Sequence, residues 1–397
     1  MNRFQNPSPS FVCSTVIVFL ALFYLSPITF SQIKFDSRLL SLPFKQCWIY
    51  NSNKITNLNI ASDNEKIIYL SLLNGAVLAL NSSNGHKIWE TEMGGEIIST
   101  PILDSFGGNN IYLVIKPFIS EDLKVEPNSL LPPSPNNFIV RSISPLTGVT
   151  HWQNKLDIGN VNNVYLGIFH EKIIIISENS KLFALNKMDG TIIWSSFFEK
   201  GLSSLPLFNN DKIIISNLDN KISIISAETG TIQYQIKAKV EVKAVLFNEG
   251  WLIWGDKKGG VYAIDPQEER ILWQLRYGAE ISNLVLTPMG ILVTSFDNFI
   301  YLVSRERGKL LWKKRLAARI TDLPLIINNF GIVVTSSEVT VNIIDLANGK
   351  SINQIFLGSE NYLNSHPIVL NNLIAFPTNK GLITVVTSAG SGNCLTN

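Results

Sequence analysis

Short apolar runs rich in Ile, Val, Leu and Phe alternate with brief polar breaks along most of the chain. That alternation predicts β-strands joined by tight turns. Paired runs such as KIIYLSLLNGAVLALN (Lys66 to Asn81) and ILVTSFDNFIYLVS (Ile291 to Ser304) read as hairpins. Their turns fall at Asn74-Gly75, Asn179-Ser180, Asp219-Asn220, Gly259-Gly260 and Asp297-Asn298, pairs that accept the left-handed backbone of a tight turn. Upstream of several hairpins stands another short apolar run opened by proline, at Pro101, Pro206, Pro324 and Pro367. Proline cannot donate to a strand ladder, so it suits the start of an innermost strand.

A longer period organises these runs. An apolar strand is followed by Asn, Asp or Ser, three variable residues, usually Gly, three more, and an aromatic. The pattern reads Asn81, Gly85, Trp89; Ser144, Gly148, Trp152; Asn186, Gly190, Trp194; and Ser226, Gly230, Tyr234. It continues as Asp265, Glu269, Trp273; Ser304, Gly308, Trp312; and Asp345, Gly349, Asn353. Counted from Trp48, the steps between closing residues are 41, 63, 42, 40, 39, 39 and 41, and a 21-residue insertion, Pro117 to Asn137, accounts for the long one. Such a period marks a repeat architecture.

Each position has a physical role. The polar residue bonds a backbone N–H two residues on, and the glycine takes a positive φ. The aromatic buries its face against the next unit. Trp48, Trp89, Trp152, Trp194, Tyr234, Trp273 and Trp312 are therefore the expected blade-docking residues. Each repeat makes a four-stranded antiparallel sheet, and a radial array of them is an all-β propeller. After Asn353 come three more strands, around Pro367–Leu370, Leu373–Pro377 and Leu382–Thr387, and no fourth. Trp48 supplies the missing aromatic. The expectation is an eight-bladed β-propeller, its ring closed by an N-terminal strand (Phe44 to Tyr50) in the last blade.

Composition narrows the chemistry. The chain has 397 residues and a net charge of +2, so nothing draws it toward nucleic acid. Its cysteines are Cys13, Cys47 and Cys394 and its histidines His86, His151, His170 and His366, too scattered for a zinc or thiol centre. Phe11 to Leu25 is apolar and follows Arg3, with Thr29 and Ser31 at the small-residue positions before Gln32. That is the layout of a secretory signal peptide over residues 1–31; the alternative is an uncleaved anchor from Phe11 to Phe30. Either places the rest outside the cytoplasm, periplasmic or otherwise extracytoplasmic. Cys13 lies at the wrong end of the apolar run for lipidation. Residues 32–43 read as a linker, 44–388 as the propeller and 389–397 as a tail. Cys47 falls in the closing strand and Cys394 six residues past the strand beside it, so the two are expected to form a disulfide; the alternative is two free thiols.

The runs Ala79-Leu80-Asn81, Ala184-Leu185-Asn186-Lys187-Met188-Asp189-Gly190 and Ala263-Ile264-Asp265, with their glycines and tryptophans, resemble the repeat of pyrroloquinoline-quinone (PQQ)-type propellers. Within that family the length, export signal, blade count and end-to-end closure look like the BamB-type propellers of bacterial outer-membrane barrel assembly. The resemblance implies a cofactor-free scaffold that is not an enzyme and, as a monomer, binds an envelope protein such as a component of that machinery. The missing lipid-attachment cysteine departs from that group. The other group is the quinoprotein dehydrogenases, which hold PQQ and calcium and carry adjacent cysteines that this chain lacks. A quinoprotein-type oxidoreductase, or a binder of glycan or small ligands in the channel, is the alternative. Only Asp322 is expected near an innermost-strand start, which leans against a metal on the axis.

Lys237, Lys239, Lys243, Lys313, Lys314 and Arg315 are expected on or beside outermost strands, guarding exposed edges. The insertion separates the second and third strands of blade 2 and shares a face with the inter-blade connections. Pro117, Leu130, Leu131, Pro132 and Pro133 are its candidate partner-binding residues, since a proline-rich loop loses little entropy on docking.

Overall fold

A computed structural model describes residues 44–51, 56–63, 66–72, 74–104, 110–118, 137–320, 322–334, 340–356, 363, 365–370 and 373–387. The chain divides into a unit over Met1–Gln32, which lies outside the described residues, and a unit over Ile33–Asn397 that holds every strand. Among the described residues the second unit is all β, eight antiparallel sheets, seven of them built from consecutive strands. Blade 1, for example, orders Thr56–Ser62, Ile67–Leu72, Ala76–Asn81 and Lys87–Glu92 from inside to outside. This is an eight-bladed β-propeller, as the repeat predicts. In blade 8, Ile368–Leu370, Leu373–Thr378 and Gly381–Thr387 come from one end of the chain and the outermost strand, Phe44–Asn51, from the other. Phe44 pairs with Thr387 and Asn51 with Gly381.

The core lies between blades, because each sheet buries both faces. Val77 and Ala79 of blade 1 pack with Ile111 and Leu113 of blade 2, and Ile174 and Ile176 of blade 3 with Ile213 and Ile215 of blade 4. Cys47, Trp48 and Leu382 of blade 8 pack with Ile68 and Leu70 of blade 1, sealing the ring. Strands with both faces buried need unbroken apolar runs, which explains sequences such as KIIIIS at Lys172–Ser177.

Prolines decide the length of the innermost strands. Behind Pro101, Pro206, Pro324 and Pro367 those strands are three residues long: Ile102–Asp104, Leu207–Asn209, Leu325–Ile327 and Ile368–Leu370. In blades without the proline they run six or seven residues, as in Val164–Phe169 and Val242–Asn248. Blade 2 goes further than expected. Its innermost strand is broken, and Gly95–Ile97 and Ile102–Asp104 both pair with Asn110–Pro117.

The turns between second and third strands carry one left-handed residue each, at Gly75, Ser180, Asn220, Gly259 and Asn298. In blade 5 that residue is the first glycine of Gly259-Gly260, so the turn sits one residue earlier than the dipeptide suggests. Gly259 N–H closes it on Asp256 O at 3.2 Å, and Gly260 already begins the third strand. Lys243 also departs from expectation: it lies in Val242–Asn248, an innermost strand, and pairs with Glu241 at 2.6 Å. Glu241 and Glu280 stand directly before innermost strands, nearer than Asp322, so Asp322 is not alone near an innermost-strand start as the sequence suggests.

One device is repeated at most blade boundaries. Every outermost indole lies on the glycine of the next blade's turn: Trp48 on Gly85, Trp89 on Gly148, Trp152 on Gly190, Trp194 on Gly230, Trp273 on Gly308 and Trp312 on Gly349. A Cβ on any of these glycines would come within 2.5–2.9 Å of ring atoms. The indole N–H then donates to a carbonyl of the same turn, as Trp48 to Ser82 O at 3.0 Å and Trp312 to Leu346 O at 2.7 Å. Trp48 makes this contact although no turn leads into its own strand, so the closing blade is locked to blade 1 like the others.

Candidate functional site

In a four-stranded antiparallel blade the connection to the next blade leaves from the same end as the second-to-third turn. This end forms one face, the connector face. The first-to-second and third-to-outermost turns form the other, the docking face, where the indoles lock. The connectors are stitched to the left-handed turn residues: Met93 N–H donates to Gly75 O, Phe198 to Ser180 O, Ala238 to Asn220 O, Tyr277 to Gly259 O and Leu316 to Asn298 O, at 2.8–3.1 Å. Loops on this face are held by backbone bonds, leaving their side chains free to project.

The docking face is tied across blades by ion pairs. Lys187 of blade 3 reaches Asp104 of blade 2 at 3.2 Å and Glu171 at 3.1 Å, with Lys187 and Asp104 only 5% and 2% exposed. Burial alone lowers the Lys187 pKa, but bonds to Glu171 and Asp104 outweigh it and leave the ammonium above its ordinary value. Lys172 pairs with Glu228 at 2.6 Å and Arg305 with Glu249 at 3.1 Å. Leu146, Val149 and Met188 are exposed on this face, on the turns of two different blades.

On the connector face, blades 5 and 6 are filled by rings. Tyr277 stacks on Tyr301 with centroids 3.9 Å apart, and the Tyr301 hydroxyl donates to Asp297 at 2.7 Å. Burial, then the Asp297 charge, pushes the Tyr277 phenol up to about 12. Near the axis Glu241 is held between Lys243 and Lys257, and those bonds keep its carboxyl below the usual range. These charges satisfy one another. Among the described residues no three His, Cys, Asp or Glu side chains gather into a set able to hold a metal ion. The described residues thus offer no cluster of carboxylates for the calcium of a quinoprotein site.

Among the described residues, large apolar side chains are exposed on the connector face at blades 3 and 4. Phe197 ends the outermost strand Ile192–Phe197 and is 63% exposed; Leu205, on the following connector, is 49% exposed. Leu218, in the turn of blade 4, is 56% exposed, and its N–H donates to Gly201 O of that connector at 2.9 Å. A bridge between Leu202 and Asn217 adds a second tie. One bonded loop pair thus presents Leu205 and Leu218 to solvent, and Phe197 is exposed at the end of the strand that enters it. Sequence reasoning passed over all three. The available signal was Leu218, an apolar residue inside the polar turn Asn217-Leu218-Asp219-Asn220.

Pro117 ends the second strand of blade 2 on this same face, followed by the exposed Phe118. Leu130, Leu131, Pro132, Pro133 and Cys394 lie outside the described residues, as does the apolar N-terminal stretch. Cys47 is disulfide-bonded. Among the described residues no helix is long and apolar enough to cross a membrane.

A family model described as "Outer membrane protein assembly factor BamB" matches residues 136–285 and 257–393. Among solved structures the chain is similar to BamB from Moraxella catarrhalis, with a TM-score of 0.67 and 16% identity over 87% of this chain and 98% of that one. It is also similar to the computationally designed Ika8 protein, with a TM-score of 0.66 and 11% identity over 86% and 100% of the two chains. The C-terminal WD40 domain of Sif2 gives 0.67 and 14% over 87% and 98%. At these identities the structural likeness shows the fold alone. No curated protein matches the sequence.

Proposed function

The chain belongs to the family of the outer-membrane assembly factor BamB, and from that membership we propose that it is an exported, non-catalytic propeller that holds an envelope protein on its connector face at blades 3 and 4. One observation carries this reading: Leu205 and Leu218 are exposed on a connector and a turn bonded to each other, and the exposed Phe197 ends the strand that leads into that connector. Large apolar side chains exposed on a loop face mark a docking surface. Its hydrogen-bonded backbone is preorganised, which lowers the entropy cost of association. Leu146 and Val149 share one turn on the other face and Met188 lies on the turn of the next blade, with no backbone bond among the described residues between those two turns to preorganise them.

The family points to a component of outer-membrane assembly as the partner. The proline-rich segment carrying Leu130, Leu131, Pro132 and Pro133 leaves blade 2 after Pro117 on this same face and is a second contact. Export rests on the apolar run from Phe11 to Phe30 behind Arg3, and the non-catalytic role on the family and on the metal-donor inventory of the described residues.

Photo-crosslinking probes at Phe197, Leu205 and Leu218 are expected to capture one envelope protein, and probes at Leu146 and Met188 to capture none of it. Equal capture from both faces, or none from blades 3 and 4, would refute the reading. Leu205→Asp with Leu218→Asp is expected to cut capture at least about tenfold, by removing two apolar anchors, with melting temperature unchanged.

A further inference from the structure

We propose that Cys47 is joined to Cys394, and that this bond replaces the turn of chain which the closing blade lacks. In the other blades the outermost strand is continuous with the third strand through a turn. In blade 8 these strands, Phe44–Asn51 and Gly381–Thr387, come from opposite ends of the chain and pair with no turn between them, while the Trp48 lock ties the outer one to blade 1. A strand paired on one side only is the easiest to detach.

The position of Cys47 suits a clasp. Each outermost strand carries a bulge just before its docking residue. Ala79 pairs with Trp89 but Leu80 with Lys87, which leaves Ile88 extra; Leu302 pairs with Trp312 but Val303 with Leu310, which leaves Leu311 extra. The closing strand has the same irregularity between Gln46 and Ile49, and Cys47 precedes Trp48 as Ile88 precedes Trp89. A bulged residue points out of the ladder. Ile88 and Leu311 are accordingly 47% and 48% exposed on the rim, whereas Cys47 is 9% exposed and disulfide-bonded. The rim is covered here and open there.

Cys13 and Cys394 are the two candidate partners. Thr387 pairs with Phe44, and Cys394 follows it by seven residues, a reach of about 24 Å. Cys47 lies three residues along the strand from Phe44, about 10 Å away. The third strand ends at Thr387, where the other blades turn into their outermost strand, so a bond to Cys394 completes the closure that the topology omits. Excluding Cys13 rests on the export reading, which places it in the apolar segment; the bulge and the burial do not depend on that reading.

The chemistry balances as thiol–disulfide exchange. The Cys47 and Cys394 thiols give two electrons and two protons to the disulfide of an oxidoreductase, whose S–S bond opens to two thiols as the new bond forms. An oxidising compartment sustains it.

The full chain, exported, alkylated at lysis and digested without reductant, is expected to yield one cross-linked peptide pair holding Cys47 and Cys394. Reductant should abolish it. It should also lower the melting temperature of the wild type by about 5 °C, leaving Cys47→Ala and Cys394→Ala, each already that much lower, unmoved. A Cys47–Cys13 pair, a freely alkylated Cys47, or a reductant shift retained in Cys394→Ala would each overturn the proposal. Partner capture at blades 3 and 4 is a separate readout, so the two readings fail independently.

Discussion

The boundary between blades 3 and 4 and the boundary between blades 4 and 5 join strands of the same kind and close in different ways. At the first, the Trp194 indole covers Gly230 and donates to Ala227 O at 3.3 Å, while the Ser196 hydroxyl donates to Gly230 O at 2.9 Å. At the second, Tyr234 replaces the tryptophan and Glu269 replaces the glycine, still left-handed at φ 50°. Burial, then the Glu269 charge, raises the Tyr234 phenol. The lock is a matched pair: a smaller ring leaves room for a Cβ, but the turn geometry still demands the positive φ. Strain of about 1–2 kcal/mol therefore persists where the glycine is lost.

Several experiments would break or sharpen that contrast. The largest effect is expected for Trp194→Ala, about 3–5 kcal/mol in urea unfolding, against about half as much for Tyr234→Ala. Equal losses would mean that the indole adds nothing beyond bulk. Next comes Lys187→Met at the boundary of blades 2 and 3, which removes a buried ion-pair partner of Asp104 and should cost about 3 kcal/mol. Because folding raises the Lys187 pKa, its contribution is present below the unfolded value of about 10.4 and fades as pH climbs through the folded value. Stability curves of wild type and Lys187→Met should converge above that pH; parallel curves would contradict the assignment.

Gly230→Ala, which brings a Cβ 2.5 Å from Trp194 in a left-handed turn, should cost about 2 kcal/mol. Glu269→Gly should instead stabilise by about 1 kcal/mol, and a loss would show that Glu269 makes a contact worth more than its strain. The smallest effect is expected at blade 7. Asn353 stands where a docking aromatic would, and the closing blade offers no third-to-outermost turn to receive one. Its amide nitrogen is buried without a hydrogen-bond partner among the described residues. Asn353→Leu should change stability by only about 0.5 kcal/mol, in the stabilising direction.

Much of the scaffold was legible because its devices are local and periodic. A glycine four residues after an Asx or Ser, and an aromatic four further on, are chemical requirements of a turn and a lock, so their spacing counts blades. The absence of that turn before Trp48 identified the closing strand. Legibility failed where a one-residue shift matters: Gly259 for Gly260 as the left-handed residue, Lys243 on an innermost strand, and the break between Ile97 and Ile102. The candidate site was less legible still. Phe197, Leu205 and Leu218 are ordinary apolar residues of a β-rich chain until their exposure is known.

The sequence by itself determined the repeat, the eight blades and the strand that closes them, since each rests on the conformational limits of single residues. Tertiary structure decided which face each loop reaches, which boundary holds Lys187 against Asp104, which bulge residue is covered and which apolar side chains stay in water. Those outcomes depend on distances between blades, and a chain that repeats nearly the same strand eight times carries almost no local trace of them.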